Sequence, residues 1–249
     1  MNEDESATDT LPRDAKFPVT HWTAVFAAGR KSHPGIDKAL AEVCTQYWFP
    51  LYAFVRRKGL SPEEAQDMTQ GFFEVLLEKN YLGDVDRERG RFRTFLLSAC
   101  ENYLRNEWAK RRTIKRGGEV SFISIQVDDA ETRYLMEPQD QSTPEKVFEH
   151  SWAMGMLSLT MDRLRSEFTK AGKADQFSVL EAFLSGEKRP ASYADAAAKL
   201  GISEGAVRVV THRLRTRYGQ LLRQAIAETL ADPRDVDEEL RHLFAVLSQ

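Results

Sequence analysis

From about residue 37 onward the apolar residues of this chain recur at helical spacing, and that periodicity restricts the fold more than any other feature. No series of strands competes with it. Leu40, Val43, Cys44, Tyr47 and Trp48 mark one face of a segment spanning 37–57, where Pro50 is expected to kink or interrupt the helix and Gly59 to stop the run that follows. Ser61-Pro62-Glu63-Glu64 is a helix start: a capping hydroxyl, proline at the first position and an acid at the third. That helix is expected to reach about Lys79, with Ala65, Met68, Phe72, Val75 and Leu76 inside and Glu63, Asp67, Gln70, Glu74 and Glu78 outside. After a charged loop from Gly83 to Gly90, Phe92 opens a long helix whose Leu96, Ala99, Tyr103 and Leu104 face inward. Helical period resumes at Glu145 and runs through Val147, Phe148, Trp152, Leu159, Leu164 and Phe168. Phe177, Leu180 and Phe183 mark another helix. Asp232-Pro233 begins a last one, with Val236, Leu240, Leu243, Phe244 and Leu247 as its apolar face.

Two stretches stand apart. A short helix begun by Thr20 would hold Trp22, Val25 and Phe26. Residues 113–145 carry Gly117-Gly118, Asp128-Asp129, Pro138 and Pro144 and read as a linker, with VSFISIQV inside it as a short extended piece. The pattern predicts an all-α protein of two helical domains joined by a flexible linker. The expected divisions are a disordered acidic tail over 1–16, a first domain over 17–112, the linker over 113–145, a second domain over 146–225 and a C-terminal amphipathic helix over 226–249. A length of 249 residues admits either two small domains or one large one.

Composition narrows the function classes. No apolar run approaches a membrane span and no signal-peptide core opens the chain, so a cytoplasmic protein without membrane insertion is expected. Cys44 and Cys100 sit in apolar helical surroundings and read as buried free thiols. The five histidines lack metal-ligand spacing, and no phosphate loop, dinucleotide fingerprint or nucleophile elbow occurs, so no metal, cofactor or catalytic residue is expected. The formal net charge of −3 hides a strong asymmetry. Acids gather at the ends, in Glu3, Asp4 and Glu5 and again in Asp235, Asp237, Glu238 and Glu239. Bases gather inside, from Arg87, Arg89, Arg91 and Arg93 to Arg105, Lys110, Arg111, Arg112, Lys115 and Arg116, and again over 208–223.

The second basic block lies in SYADAAAKLGISEGAVRVVTHRLRTR, residues 192–217, which has the layout of a helix-turn-helix. Ser192 can cap a first helix that buries Ala196, Ala197 and Leu200. Gly201 breaks the run, and Ser203 can cap a second helix that buries Val207, Val210 and Leu214. The opposite face presents Arg208, His212, Arg213 and Arg215, and arginine pairs bidentately with guanine in the major groove. The simpler alternative is a helical hairpin with a solvated basic face. In the first block, aromatic residues and amides are interleaved with bases, a combination suited to unstacked bases. Phe92 and Phe95 read as core, whereas Asn102, Arg105, Trp108 and Arg112 read as contact residues, with Asn106 and Arg111 beside them. Asp67, Gln70 and Glu74 form a polar helix face without the convergent geometry that acid-base catalysis needs, so a solvated face or a docking surface for a partner are the two readings.

Three ordered stretches resemble the extracytoplasmic-function sigma factors of bacterial RNA polymerase. AQDMTQGFFEVLL resembles a region 2 helix of that family through Asp67, Gln70 and Phe73. FRTFLLSACENYLRNEWAKRR resembles another through Phe95, Leu96, Asn102 and Lys110, Arg111 and Arg112. The 192–215 stretch resembles the region 4 helix-turn-helix through Ser192, Tyr193, Ala197, Gly205, Val207, Arg208, Arg213 and Arg215. The resemblance implies a transcription initiation factor with no catalytic activity and two modules, a region 2-like helical bundle and a region 4-like helix-turn-helix. Asp67, Gln70 and Glu74 would dock on the beta-prime clamp of core polymerase, and the beta flap would be a second contact. Asn102, Arg105, Asn106, Trp108, Arg111 and Arg112 would read and help melt the minus-10 element, with Asn102 at the position of an extruded base. Ser203, Arg208, Val209, His212, Arg213 and Arg215 would meet the minus-35 element. An anti-sigma factor or other regulatory partner belongs to the same pattern. Phe95 stands where the family more often has Trp, Val209 where a small polar residue is frequent, and the Gly83–Gly90 loop is long. Two other readings compete: a stand-alone helix-turn-helix regulator, and an enzyme acting on nucleic acid.

Overall fold

The computed structural model describes residues 34–78, 91–113, 127–136, 143–184 and 192–248; the side chains of 34–40, 77–78, 111–113 and 127–129 lie outside the description. The expected helix after Thr20, the Gly83–Gly90 loop and the acidic tail also lie outside the described residues, as does the extended piece expected over 120–127 except for Val127, which is helical. Among the described residues every regular element is helical: α1 (Pro34–Arg57), α2 (Pro62–Glu78), α3 (Phe92–Thr113), α4 (Val127–Met136), α5 (Pro144–Lys170), α6 (Ala174–Leu180), α7 (Tyr193–Leu200), α8 (Glu204–Ala227) and α9 (Val236–Leu247). Short 3-10 turns at Glu181–Phe183 and Pro233–Asp235 follow α6 and precede α9.

Local chemistry sets several boundaries where the sequence places them. The Glu64 N–H donates to Ser61 Oγ at 3.2 Å and the Ser61 N–H donates to Glu64 Oε2 at 3.1 Å, a reciprocal cap at the start of α2. Gly59 takes φ 95°, a conformation that side chains with a Cβ rarely adopt, and ends the preceding run. Of the two expectations for Pro50, interruption is not met: α1 runs through it. Tyr47 to Val55 are buried without a break, so this part of α1 is enclosed on all sides. Burying Leu51, Tyr52, Phe54 and Val55 at about 1.5–3 kcal/mol each outweighs the roughly 3 kcal/mol an interior proline costs.

Packing divides the molecule differently from the sequence pattern. The larger core joins α1 to α4, the first half of α5 through Val147, Phe148, Trp152 and Met156, the end of α8 through Leu222, Ala225 and Ile226, and α9 through Val236 and Leu243. The smaller core is built from Leu164 of α5, Phe177 and Leu180 of α6, Phe183, Ala196 and Ala197 of α7, and Val207, Leu214 and Leu221 of α8. The seam between the cores therefore falls inside α5 and α8, not at residue 145. The expected linker holds a helix of its own, because Ala130 and Tyr134 bury against α1 and Glu131 accepts hydrogen bonds from Tyr52 (2.6 Å) and Arg56 (2.8 and 3.0 Å).

The C-terminal helix is fastened to α3 and α5. Arg93 is buried, donates to both carboxylate oxygens of the fully buried Glu239 (2.8 and 3.1 Å) and to Glu149 (2.7 Å), and lies 4.7 Å over the Trp152 ring. Arg91 reaches Glu239 at 2.7 Å, and His242 meets Glu149 at 3.0 Å. Phe244 departs from the expected apolar face of α9 and stays exposed. Cys44 and Cys100 are free; burial pushes their thiols up to about 11 and about 12, so both stay protonated at neutral pH.

Candidate nucleic-acid interface

The α7–turn–α8 unit is set by two serine caps and one glycine. The Asp195 N–H donates to Ser192 Oγ at 3.4 Å, and the Ala206 N–H donates to Ser203 Oγ at 3.2 Å. Gly201 ends α7 in the left-handed region (φ 65°, ψ 30°), and its N–H bonds the Ala197 carbonyl. Ala196, Ala197, Val207 and Leu214 are buried, as the spacing predicts, whereas Leu200 and Val210, also expected inside, are half-buried. Thr211 is buried among them, an addition that apolar patterning could not reveal.

This packing leaves one side of the first half of α8 to solvent. Arg208, Val209, His212 and Arg213 are all exposed, and at 100° per residue they fall within roughly 140° of arc. Val209 exposes half its surface, a cost without return for an isolated apolar side chain but useful against an apolar feature such as a thymine methyl. The Arg208 guanidinium lies 4.4 Å over the Tyr193 ring. Arg213 borders a cleft that also holds Lys173, Arg217 and Phe168.

Two other predicted residues are engaged inside the protein. Ser203 is the helix cap. Arg215 is exposed, yet its guanidinium donates to the Phe183 carbonyl at 3.0 Å and so ties α8 to the 3-10 turn. Further along α8, Arg217 pairs with Glu167 (2.5 and 2.8 Å) and Arg223 pairs with Asp237.

The second surface is the outer face of α3. Phe92 and Leu96 are buried and Phe95 and Tyr103 half-buried, which turns Asn102, Arg105, Asn106 and Trp108 outward. Arg105 approaches Glu101 at 3.9 Å, a weak exposed pair that leaves its guanidinium accessible. Arg111 and Arg112 occupy the last turn of α3, and their side chains lie outside the described residues. The basic block of the sequence thus splits. Arg91 and Arg93 turn inward to the acids of α9 and α5, while Arg105 faces solvent. The acidic C-terminal end neutralises interior bases, which net charge alone does not reveal.

On α2, Asp67 and Glu74 are exposed and Gln70 is half-buried, with the Gln70 amide donating to Glu74 at 3.1 Å. Met68, Thr69, Phe72, Phe73 and Leu76 are buried on its other sides. Among the described residues no group of three or more His, Cys, Asp and Glu side chains converges on a metal-sized site, and no helix is long and apolar enough to cross a membrane. Comparison with models of known families, with curated proteins and with solved structures finds no match.

Proposed function

We propose that this chain is a promoter-specificity subunit that binds core RNA polymerase and directs it to promoters. The observation that carries this reading is the exposed arc of Arg208, Val209, His212 and Arg213 on a helix capped at Ser203 and braced by α7. Its donors and apolar group suit base edges in a major groove. The α3 face adds a second reader: Asn102 and Asn106 offer amide edges, Trp108 an aromatic platform and Arg105 a phosphate contact. Holding an extruded base costs a few kcal/mol of unstacking, offset by stacking and edge hydrogen bonds. The α2 face, Asp67 with Gln70 and Glu74, is the docking surface for the polymerase clamp, and the helix-turn-helix unit meets the beta flap. The two surfaces would read the minus-10 and minus-35 elements as two helical modules of one cytoplasmic factor.

Purified chain mixed with core polymerase and a fork-junction promoter is expected to give a stable complex and start-site-specific transcripts. Failure to bind core enzyme, or to bind promoter DNA in its presence, would end this reading. A second reading is a duplex-binding regulator that needs no polymerase, favoured by the continuity of α8 from its exposed arc into the larger core. Tight duplex binding by the chain alone, with a dimer on gel filtration, would select it.

A further inference from the structure

Arg208 differs from the other exposed bases of α8 in lying over an aromatic ring. Its guanidinium lies 4.4 Å over the Tyr193 ring, and Tyr193 is itself stacked on Phe183, with centroids 4.8 Å apart and planes at 22°. Phe183 is buried in the smaller core, so the column is rooted in rigid structure. Its far end is also held from α8, because Arg215 donates to the Phe183 carbonyl. A guanidinium that stacks through its face keeps its N–H donors free along its edge. The ring contact restrains the rotamers of Arg208, and no hydrogen bond or ion pair to a described residue consumes the fork that would bind O6 and N7 of guanine.

We propose that Tyr193 is a positioning residue that holds Arg208 edge-outward and thereby sets a guanine preference at one base pair of the recognised duplex. This rests on the reading of α8 as a major-groove helix. The column, not the Tyr193 hydroxyl, performs the positioning, so phenylalanine would serve in its place and an aliphatic residue would not. Lysine at 208 would keep the charge but lose the planar fork.

The test uses the full chain bound to core polymerase and a randomised duplex pool, with bound sequences read out at several salt concentrations. Tyr193→Phe is expected to keep the guanine preference of the wild type. Tyr193→Leu is expected to lower it by roughly three- to tenfold at one position, with the salt slope unchanged. In an Arg208→Ala background Tyr193→Leu should have no further effect. Arg208→Lys should lose the preference and keep the salt slope. Equal losses in Tyr193→Phe and Tyr193→Leu would assign the effect to the hydroxyl, and additive losses with Arg208→Ala would show independent action; either overturns the proposal. A readout without DNA is the Arg208 Nε–H resonance of the free chain, expected to carry a ring-current shift that Tyr193→Phe keeps and Tyr193→Leu removes. Absence of that shift in the wild type overturns the column. A wild type that enriches guanine while Tyr193→Leu matches it defeats this proposal alone, whereas a wild type that selects no sequence defeats the promoter reading and this one together.

Discussion

Arg208 and Arg213 share an exposed arc but differ in their restraint: one lies over the Tyr193 ring and the other borders an open cleft. If each pairs bidentately with a base, Arg208→Ala or Arg213→Ala should weaken recognition of the preferred promoter by about 1–3 kcal/mol. Competition between promoter variants measures this, and unchanged discrimination would deny that side chain a base contact. Ser203 also acts on folding. Its hydroxyl satisfies the Ala206 N–H, so Ser203→Ala should cost about 1 kcal/mol in urea denaturation, and Ser203→Gly only a few tenths. Arg215 is a case in which type and spacing reveal only part of a side chain's surroundings. Its position on the basic edge of α8 suggests a ligand contact, but the Phe183 carbonyl that receives its donor lies 32 residues away in sequence.

Among the elements, α4 is held to α1 by few groups. Ala130 and Tyr134 supply apolar contact, Glu131 accepts hydrogen bonds from Tyr52 and Arg56, and the Arg133 guanidinium lies 3.9 Å over the Phe49 ring. The hydrogen bond from Arg56 is the main reason the Glu131 carboxyl titrates below the usual carboxylate range; burial opposes it, and the Tyr52 hydroxyl and the Arg56 charge add to it. A carboxyl with a depressed folded-state pKa stabilises the fold at all pH values above its ordinary range. That contribution is lost as pH falls through the depressed value. The protection factors of α4 amides against hydrogen exchange, corrected for the intrinsic rate at each pH, should therefore fall below about pH 4. Glu131→Gln should remove that pH dependence and cost about 1–2 kcal/mol at neutral pH, the charge-assisted bonds being partly exposed. An α4 whose protection factors stay constant into acid would contradict this account.

For the molecule as a whole, the C-terminal helix is an integral part of the larger core. Glu239→Ala would leave Arg93 buried beside Glu149 with most of its compensation gone, and should cost about 3–5 kcal/mol in thermal or denaturant unfolding. Asp67→Ala removes an exposed side chain of α2, so it should leave stability unchanged within about 0.5 kcal/mol. It should nevertheless weaken binding to core polymerase in a competition assay; equal affinity would remove Asp67 from the docking surface. The helices themselves were legible in the sequence because their signals are local: the Ser61–Glu64 cap, the Ser192 and Ser203 caps, Gly201, and the inward spacing of Phe92, Leu96 and Leu104. The exposed faces of α2, α3 and α8 followed from the same periodicity. Tertiary packing alone decided that α4 forms where glycines and acids suggested a linker, that the seam between cores falls within α5 and α8, and that Arg91 and Arg93 turn inward to meet acids of α9. The physical reason is one of range: caps and helical faces depend on neighbours three or four residues away, whereas a buried ion pair such as Arg93–Glu239 joins residues 146 apart, and no local pattern encodes which distant charge will share a desolvated site.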